Sequence, residues 1–206
     1  MSPRPYRLGQ RQATSEQTRM RIINAAREVL MASDGYSTFS IDVVARRADV
    51  ARMTVYHQFG SKLGLLEALC DSLAMSGGMQ ELSSAFRLEE PRDSLNEYIL
   101  VFSRFWEVDR LVMRRLRALA NLDPDFEKVI RSRDEWRRKG LGVIVGRFVE
   151  RYGRPAPEAL DEVVEVLFTL LSFEFFDTLA GPTRSMQEVV PVVQQLAHAA
   201  LGLKKG

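Results

Sequence analysis

The sequence predicts an all-α protein on three observations. Apolar residues recur at helical spacing through nearly the whole chain, strand-like alternation persists nowhere, and capping residues punctuate the pattern. With 206 residues and 46% hydrophobic content, the chain can bury an ordinary core. No stretch reaches the ~20 apolar residues of a membrane span, and MSPRPYRLGQRQ has no apolar signal region, so a soluble cytoplasmic protein is expected. Cys70 is the only cysteine and stands among Leu66, Leu69 and Leu73, which reads as a buried, inert thiol.

In chain order, Thr14 and Gln17 have the spacing of a capping box, Ile22, Ala26, Val29 and Leu30 form one stripe, and Gly35 offers a left-handed exit, giving a first helix near 15–33. Ser40 can cap a very short second helix, with Asp42 in its first turn and Val44, Ala45 and Ala48 facing inward. Asp49 is expected at the turn because it tolerates positive φ better than most residues. A third helix then runs over about 51–58, Gly60 ends it, and Ser61 caps a fourth carrying Leu65, Leu66, Leu69 and Leu73.

Met75 to Gly78 loosens the pattern. Pro91 opens a helix to about 107, a shorter one follows near 109–120, and Asp123-Pro124 places a cap and an N1 proline before a long helix to Tyr152. After the break GRPAP come two last helices, near 158–180 and 186–203. Ser185 and Glu188 make a second capping box, and Pro191 should kink the early turns of the last helix. The whole reads as about nine helices, divided at 74/75 into an N-terminal and a C-terminal domain.

Charge singles out the first of these. Residues 1–62 carry ten basic and five acidic side chains, a net of +5 that leaves −3 for the remainder, so only the N-terminal third suits a polyanion. Two short helices joined by a tight turn make a helix-turn-helix, whose second helix lies in the major groove. In DVARMTVYHQFGSK, residues 49–62, Val50, Val55 and Phe59 would anchor that helix and leave Arg52, Met53, Thr54, Tyr56 and His57 outward. Arg52 can pair bidentately with guanine, Met53 and the Thr54 methyl can touch thymine methyls, and Tyr56 and His57 can reach phosphate. Lys62 and Ser40, at the starts of the flanking helices, can add phosphate contacts.

At these residues the chain resembles a known family. Thr14 to Leu73 is similar to the DNA-binding domain of the TetR family of bacterial transcriptional regulators, whose helix-turn-helix reads roughly T-x-x-x-I-A-x-x-A-G-V-S-x-G-T-x-Y-x-H-F-x-x-K. The matching residues are Ser40, Val44, Ala45, Ala48, Val50, Thr54, Tyr56, Phe59 and Lys62. Asp49 replaces the usual turn glycine, Met53 another glycine, Gln58 a histidine and Leu63 an acidic residue. Ala51 replaces a capping serine at a cost of ~1 kcal/mol.

The resemblance implies residues 1–74 as the DNA-binding domain and 75–206 as an effector-binding and dimerisation domain. It further implies a homodimer through the last two helices, a palindromic double-stranded DNA operator and a small, largely apolar effector, with no cofactor. A repressor is expected; an activator, or a helical adaptor for a protein partner without DNA affinity, are the alternatives. On the helices that line the family's pocket stand Phe102, Phe105, Trp106, Met113, Trp136, Phe168 and Leu171. Glu174 and Asp177 continue an apolar stripe, where a buried carboxylate needs a partner: an arginine from among Arg114, Arg115, Arg117, Arg133, Arg137 and Arg138, or a cationic ligand, unless the face turns to solvent.

An enzyme is disfavoured. The two histidines, His57 and His198, lie on different helices, and neither a metal-binding His-Glu spacing, a phosphate loop nor a nucleophile elbow is present.

Overall fold

The computed structural model describes residues 4–32, 39–153, 155–156 and 159–202, with side chains from Ala13 onward. All regular structure among them is helical: α1 (Arg4–Met31), α2 (Ile41–Arg47), α3 (Arg52–Phe59), α4 (Lys62–Ser76), a 3₁₀ turn (Met79–Glu81), α5 (Leu82–Arg87), α6 (Pro91–Glu107), α7 (Arg110–Leu122), α8 (Pro124–Tyr152), α9 (Leu160–Leu170), α10 (Phe173–Ala180) and α11 (Met186–Ala200). None is long and apolar enough to cross a membrane. Two compact units are present, Met1–Ser72 with Arg114–Glu127 and Leu73–Met113 with Lys128–Gly206.

In the first unit, α1 buries Ile22, Ala26, Val29 and Leu30, the stripe read from the sequence. It starts well before the expected residue 15. Thr14 lies inside the helix, where its carbonyl accepts a hydrogen bond from the Thr18 hydroxyl at 2.9 Å, and Pro5 sits in the first turn, where its missing N–H breaks nothing. Arg4, Arg7 and Arg11 therefore belong to α1; their side chains, and Gly35, lie outside the described residues. At the other end of α1 the Arg115 guanidinium donates to the carbonyls of Leu30 and Ala32, two of the acceptors a helix terminus leaves over.

The second unit is built on an aromatic spine. Tyr98, Phe102 and Trp106 follow one another along α6, with ring centroids 4.9 Å and 5.8 Å apart, and Phe173 of α10 meets Trp106 at 5.7 Å. Tyr98 is fully buried, its hydroxyl donating to the Arg137 carbonyl at 2.9 Å. Only a glycine fits at position 140, where a Cβ would stand 2.6 Å from that hydroxyl. Leu141, Ile144, Val145 and Phe148 of α8 and Val189, Val193 and Ala197 of α11 complete the core.

The sequence reading is corrected at two further places. Helix α5 was not expected: Ser83 and Ser84 are poor helix formers, but both back-bond to the preceding turn, and Ser94 donates to the Ala85 carbonyl at 2.7 Å. The single helix expected over 158–180 is two, α9 and α10, with Ser172 as the N-cap of the second, accepting from the Phe175 N–H at 3.1 Å. The helix count among the described residues is therefore eleven. Pro124 at the start of α8 and the Ser185–Glu188 capping box of α11 are present as read, and α11 runs on through Pro191.

Candidate nucleic-acid interface

Helix α2 stops because the chain enters the left-handed region at Asp49, φ 50°, the one non-glycine residue with positive φ among those described. The Asp49 N–H donates to the Arg46 carbonyl at 3.3 Å and the Val50 N–H to the Ala45 carbonyl at 3.0 Å. This paired closure is a Schellman motif, and it uses up the carbonyls that would otherwise continue the helix. The chain then re-enters helix at Arg52 after Ala51, which offers no side-chain cap.

Val55 is fully buried and fixes which face of α3 turns inward. Val50 and Phe59, expected as fellow anchors, are only half-buried. Phe59 is covered by the Arg19 guanidinium, 4.5 Å from its ring centroid, and the same guanidinium donates to the Gln58 carbonyl at 2.9 Å. The Gln58 amide donates to the Ser15 hydroxyl at 3.0 Å, so the end of α3 is tied to α1 by polar contacts in place of deeper burial.

With the inner face fixed, Arg52, Met53 and His57 are exposed and Thr54 and Tyr56 half-exposed, all on one short helix. The Arg52 guanidinium donates to Asp42 of α2 and to the Tyr56 hydroxyl, each at 3.2 Å, and lies 5.5 Å from the Tyr56 ring centroid. Tyr56 first, and Asp42 second, hold its pKa above the ordinary guanidinium value. Ser40 caps α2, accepting from the Val43 N–H at 3.3 Å, and Ser61 accepts from the Gly64 N–H at 3.0 Å. Lys62 is partly exposed and stands 3.9 Å from Asp123, whose other oxygen caps α8. The fold thus brings Arg52, Met53, Thr54, Tyr56 and His57 together, with Ser40 and Lys62 at the starts of the helices on either side.

In the second unit Phe102, Trp106, Met113 and Leu171 are buried and Phe105 and Phe168 half-buried, whereas Trp136 is 74% exposed and stands outside the cluster. Glu174 is also exposed, so the buried-carboxylate reading fails for it. Asp177 is mostly buried and is paired, as expected, with an arginine, but that arginine is Arg110, none of those considered. Its guanidinium also donates to the carbonyls of Asp177 at 2.9 Å, Gly181 at 2.6 Å and Arg184 at 3.1 Å.

Arg137, offered by the sequence only as one possible partner for those carboxylates, is instead buried among aromatic rings. It is 4% exposed, lies 4.2 Å from the Phe168 ring centroid, and donates to the Leu171 carbonyl at 2.8 Å. Trp106 donates to the same carbonyl at 3.1 Å. Asp134, one turn earlier on α8, is ion-paired with Arg137 at 3.4 Å.

Comparison with known proteins agrees with this geometry. The family model described as bacterial regulatory proteins of the tetR family matches residues 22–69. The HTH-type transcriptional regulator SrpR of Pseudomonas putida is 47% identical over 60 residues, 29% of this chain and 28% of that protein. The uncharacterized HTH-type transcriptional regulator TtgW, also of Pseudomonas putida, is 43% identical over 60 residues, 29% of this chain and 44% of its own length. The chain therefore matches less than half the length of either relative. Among solved structures, a TetR transcription regulator from Haloarcula marismortui aligns over 91% of this chain and 97% of its own, with a TM-score of 0.69 and 17% identity. The TetR family regulator PfmR of Thermus thermophilus aligns over 90% and 99%, with a TM-score of 0.65 and 20% identity, a likeness of fold.

Proposed function

We propose that this chain, whose helix-turn-helix segment matches the model of the tetR family of bacterial regulatory proteins, is a homodimeric repressor that leaves a palindromic operator when a small, largely apolar effector binds. The observation that carries the reading is α3: a short helix with Val55 fully buried on one side and Arg52, Met53, Thr54, Tyr56 and His57 presented on the other. In this reading residues 1–74 hold the DNA. Arg52 pairs with a guanine edge, Met53 and Thr54 touch thymine methyls, and Ser40, Tyr56, His57 and Lys62 hold phosphates.

Residues 75–206 supply the dimer and the effector site. Val166 of α9 and Val192 and Leu196 of α11 are 41%, 42% and 40% exposed, apolar surface that a second copy would cover. Phe102, Phe105, Trp106, Met113, Phe168 and Leu171 are the residues from which an apolar effector site would be drawn. The effector would favour a dimer geometry unsuited to DNA, and operator and effector would then weaken each other's binding by the same factor.

Binding to duplex DNA tests the reading. Affinity should fall steeply with salt, Lys62→Ala should reduce the slope of log K against log[salt] by about 1, and Arg52→Ala should chiefly relax sequence preference. A response flat in salt would overturn it.

A further inference from the structure

We propose that Asp42, an acid on the helix before the recognition helix, is a specificity-determining positioning residue that orients Arg52 toward the base it reads. The inference rests on the DNA-binding reading above and deepens it.

Asp42 is 56% exposed and lies in the first turn of α2. An acid on a face that approaches phosphate weakens binding through simple Coulomb repulsion. The favourable interaction of an anion with the start of a helix accounts for an acid there, but not for its being engaged by the first residue of α3. Nor does folding account for the pair, since exposed ion pairs of this kind contribute little to stability.

What the pair does is restrict a long side chain. A free arginine at the start of α3 samples many rotamers, and ordering it on a base has an entropic cost. Here Asp42 holds one terminal nitrogen of Arg52 at 3.2 Å, the Tyr56 hydroxyl holds the other at 3.2 Å, and the Tyr56 ring lies beneath. The anchors come from two helices, so the plane of the guanidinium is set by the helix-turn-helix as a whole. Each terminal nitrogen keeps a second N–H, and together they match the paired acceptors on the major-groove edge of guanine. The carboxylate also excludes a second acceptor-rich group from its own side of the guanidinium, so the arginine is aimed at a base edge and away from the nearest phosphate.

The test begins with the full-length wild type selected against a library of randomised duplexes, followed by affinities for the recovered duplex and its single-base-pair variants. Asp42→Asn is compared with Glu28→Gln, which makes the same charge change and removes another exposed pair, Glu28 with Arg47 at 3.8 Å. The expected result is that Asp42→Asn loses about tenfold in discrimination at the one base pair per half-site that Arg52→Lys also relaxes, while its affinity for a scrambled duplex matches that of Glu28→Gln. In the Arg52→Lys background Asp42→Asn should add nothing at that position. Discrimination retained within about twofold, or lost evenly at every position, would overturn the proposal and leave DNA binding standing. A wild type that selects no sequence would overturn both.

Discussion

The N–H of Val50 donates to the carbonyl of Ala45 at 3.0 Å, closing the turn across Asp49. That bond requires positive φ at Asp49, which an aspartate adopts at a cost and a glycine at almost none. Asp49→Gly should therefore stabilise the protein by up to about 1 kcal/mol, a rise in Tm of roughly 2–4 °C for a chain of this size. Asp49→Val should lower Tm instead, because β-branching is poorly tolerated there. Thermal melts of both variants check the assignment.

Arg110 ties the turn between α10 and α11 to α7. Removing it as Arg110→Ala takes a cation from the Asp177 carboxylate and a donor from the carbonyls of Gly181 and Arg184, with an expected loss of about 1.5–3 kcal/mol. Arg110→Lys should recover only part, since a point charge cannot serve several acceptors in one plane. Denaturant unfolding of the two variants measures the difference.

Those acceptors also show where the sequence stops being legible. Local signals were readable: Asp49 at the turn, Asp123-Pro124 before α8, and the capping box Ser185–Glu188 all stand where their chemistry demands. The break between α9 and α10 was not, because VLFTLLSFEFF keeps helical spacing throughout. Ser172 caps α10 locally, but the Leu171 carbonyl is taken from a distance, by Trp106, 65 residues away, and Arg137, 34 away. The same limit explains why Arg110 was missed as the partner of Asp177, 67 residues on. At the candidate interface the outward set on α3 was legible from its spacing around Val55, but the two contacts that hold the Arg52 side chain were not.

His198 makes stability depend on pH. It is half-buried on α11, its Nε2 finds no hydrogen-bond partner among the described residues, and burial first, then Arg92, lowers its pKa below the usual value of about 6.5. The unfolded chain therefore takes up the proton more readily, so this group destabilises the fold as pH drops below about 6.5 and has no effect well above it. Between pH 7.5 and 5.5, His198→Gln should lose less Tm than the wild type. An equal loss would show that other groups carry the acid sensitivity.

The apolar positions on α9 and α11 predict the oligomeric state. Sedimentation at micromolar concentration should give a dimer, and Val192→Glu with Leu196→Glu should give a folded monomer, since both side chains are about two-fifths exposed in the isolated chain. A wild type that sediments as a monomer would remove the basis for a two-fold symmetric operator.

The most direct measurement is a binding selection of the full-length protein from randomised duplexes. The expected result is a palindrome whose half-sites are centred about one DNA turn apart, ~34 to 36 Å, and loss of the preference in Arg52→Ala. Recovery of no enriched sequence, or of one that Arg52→Ala selects equally well, would contradict it.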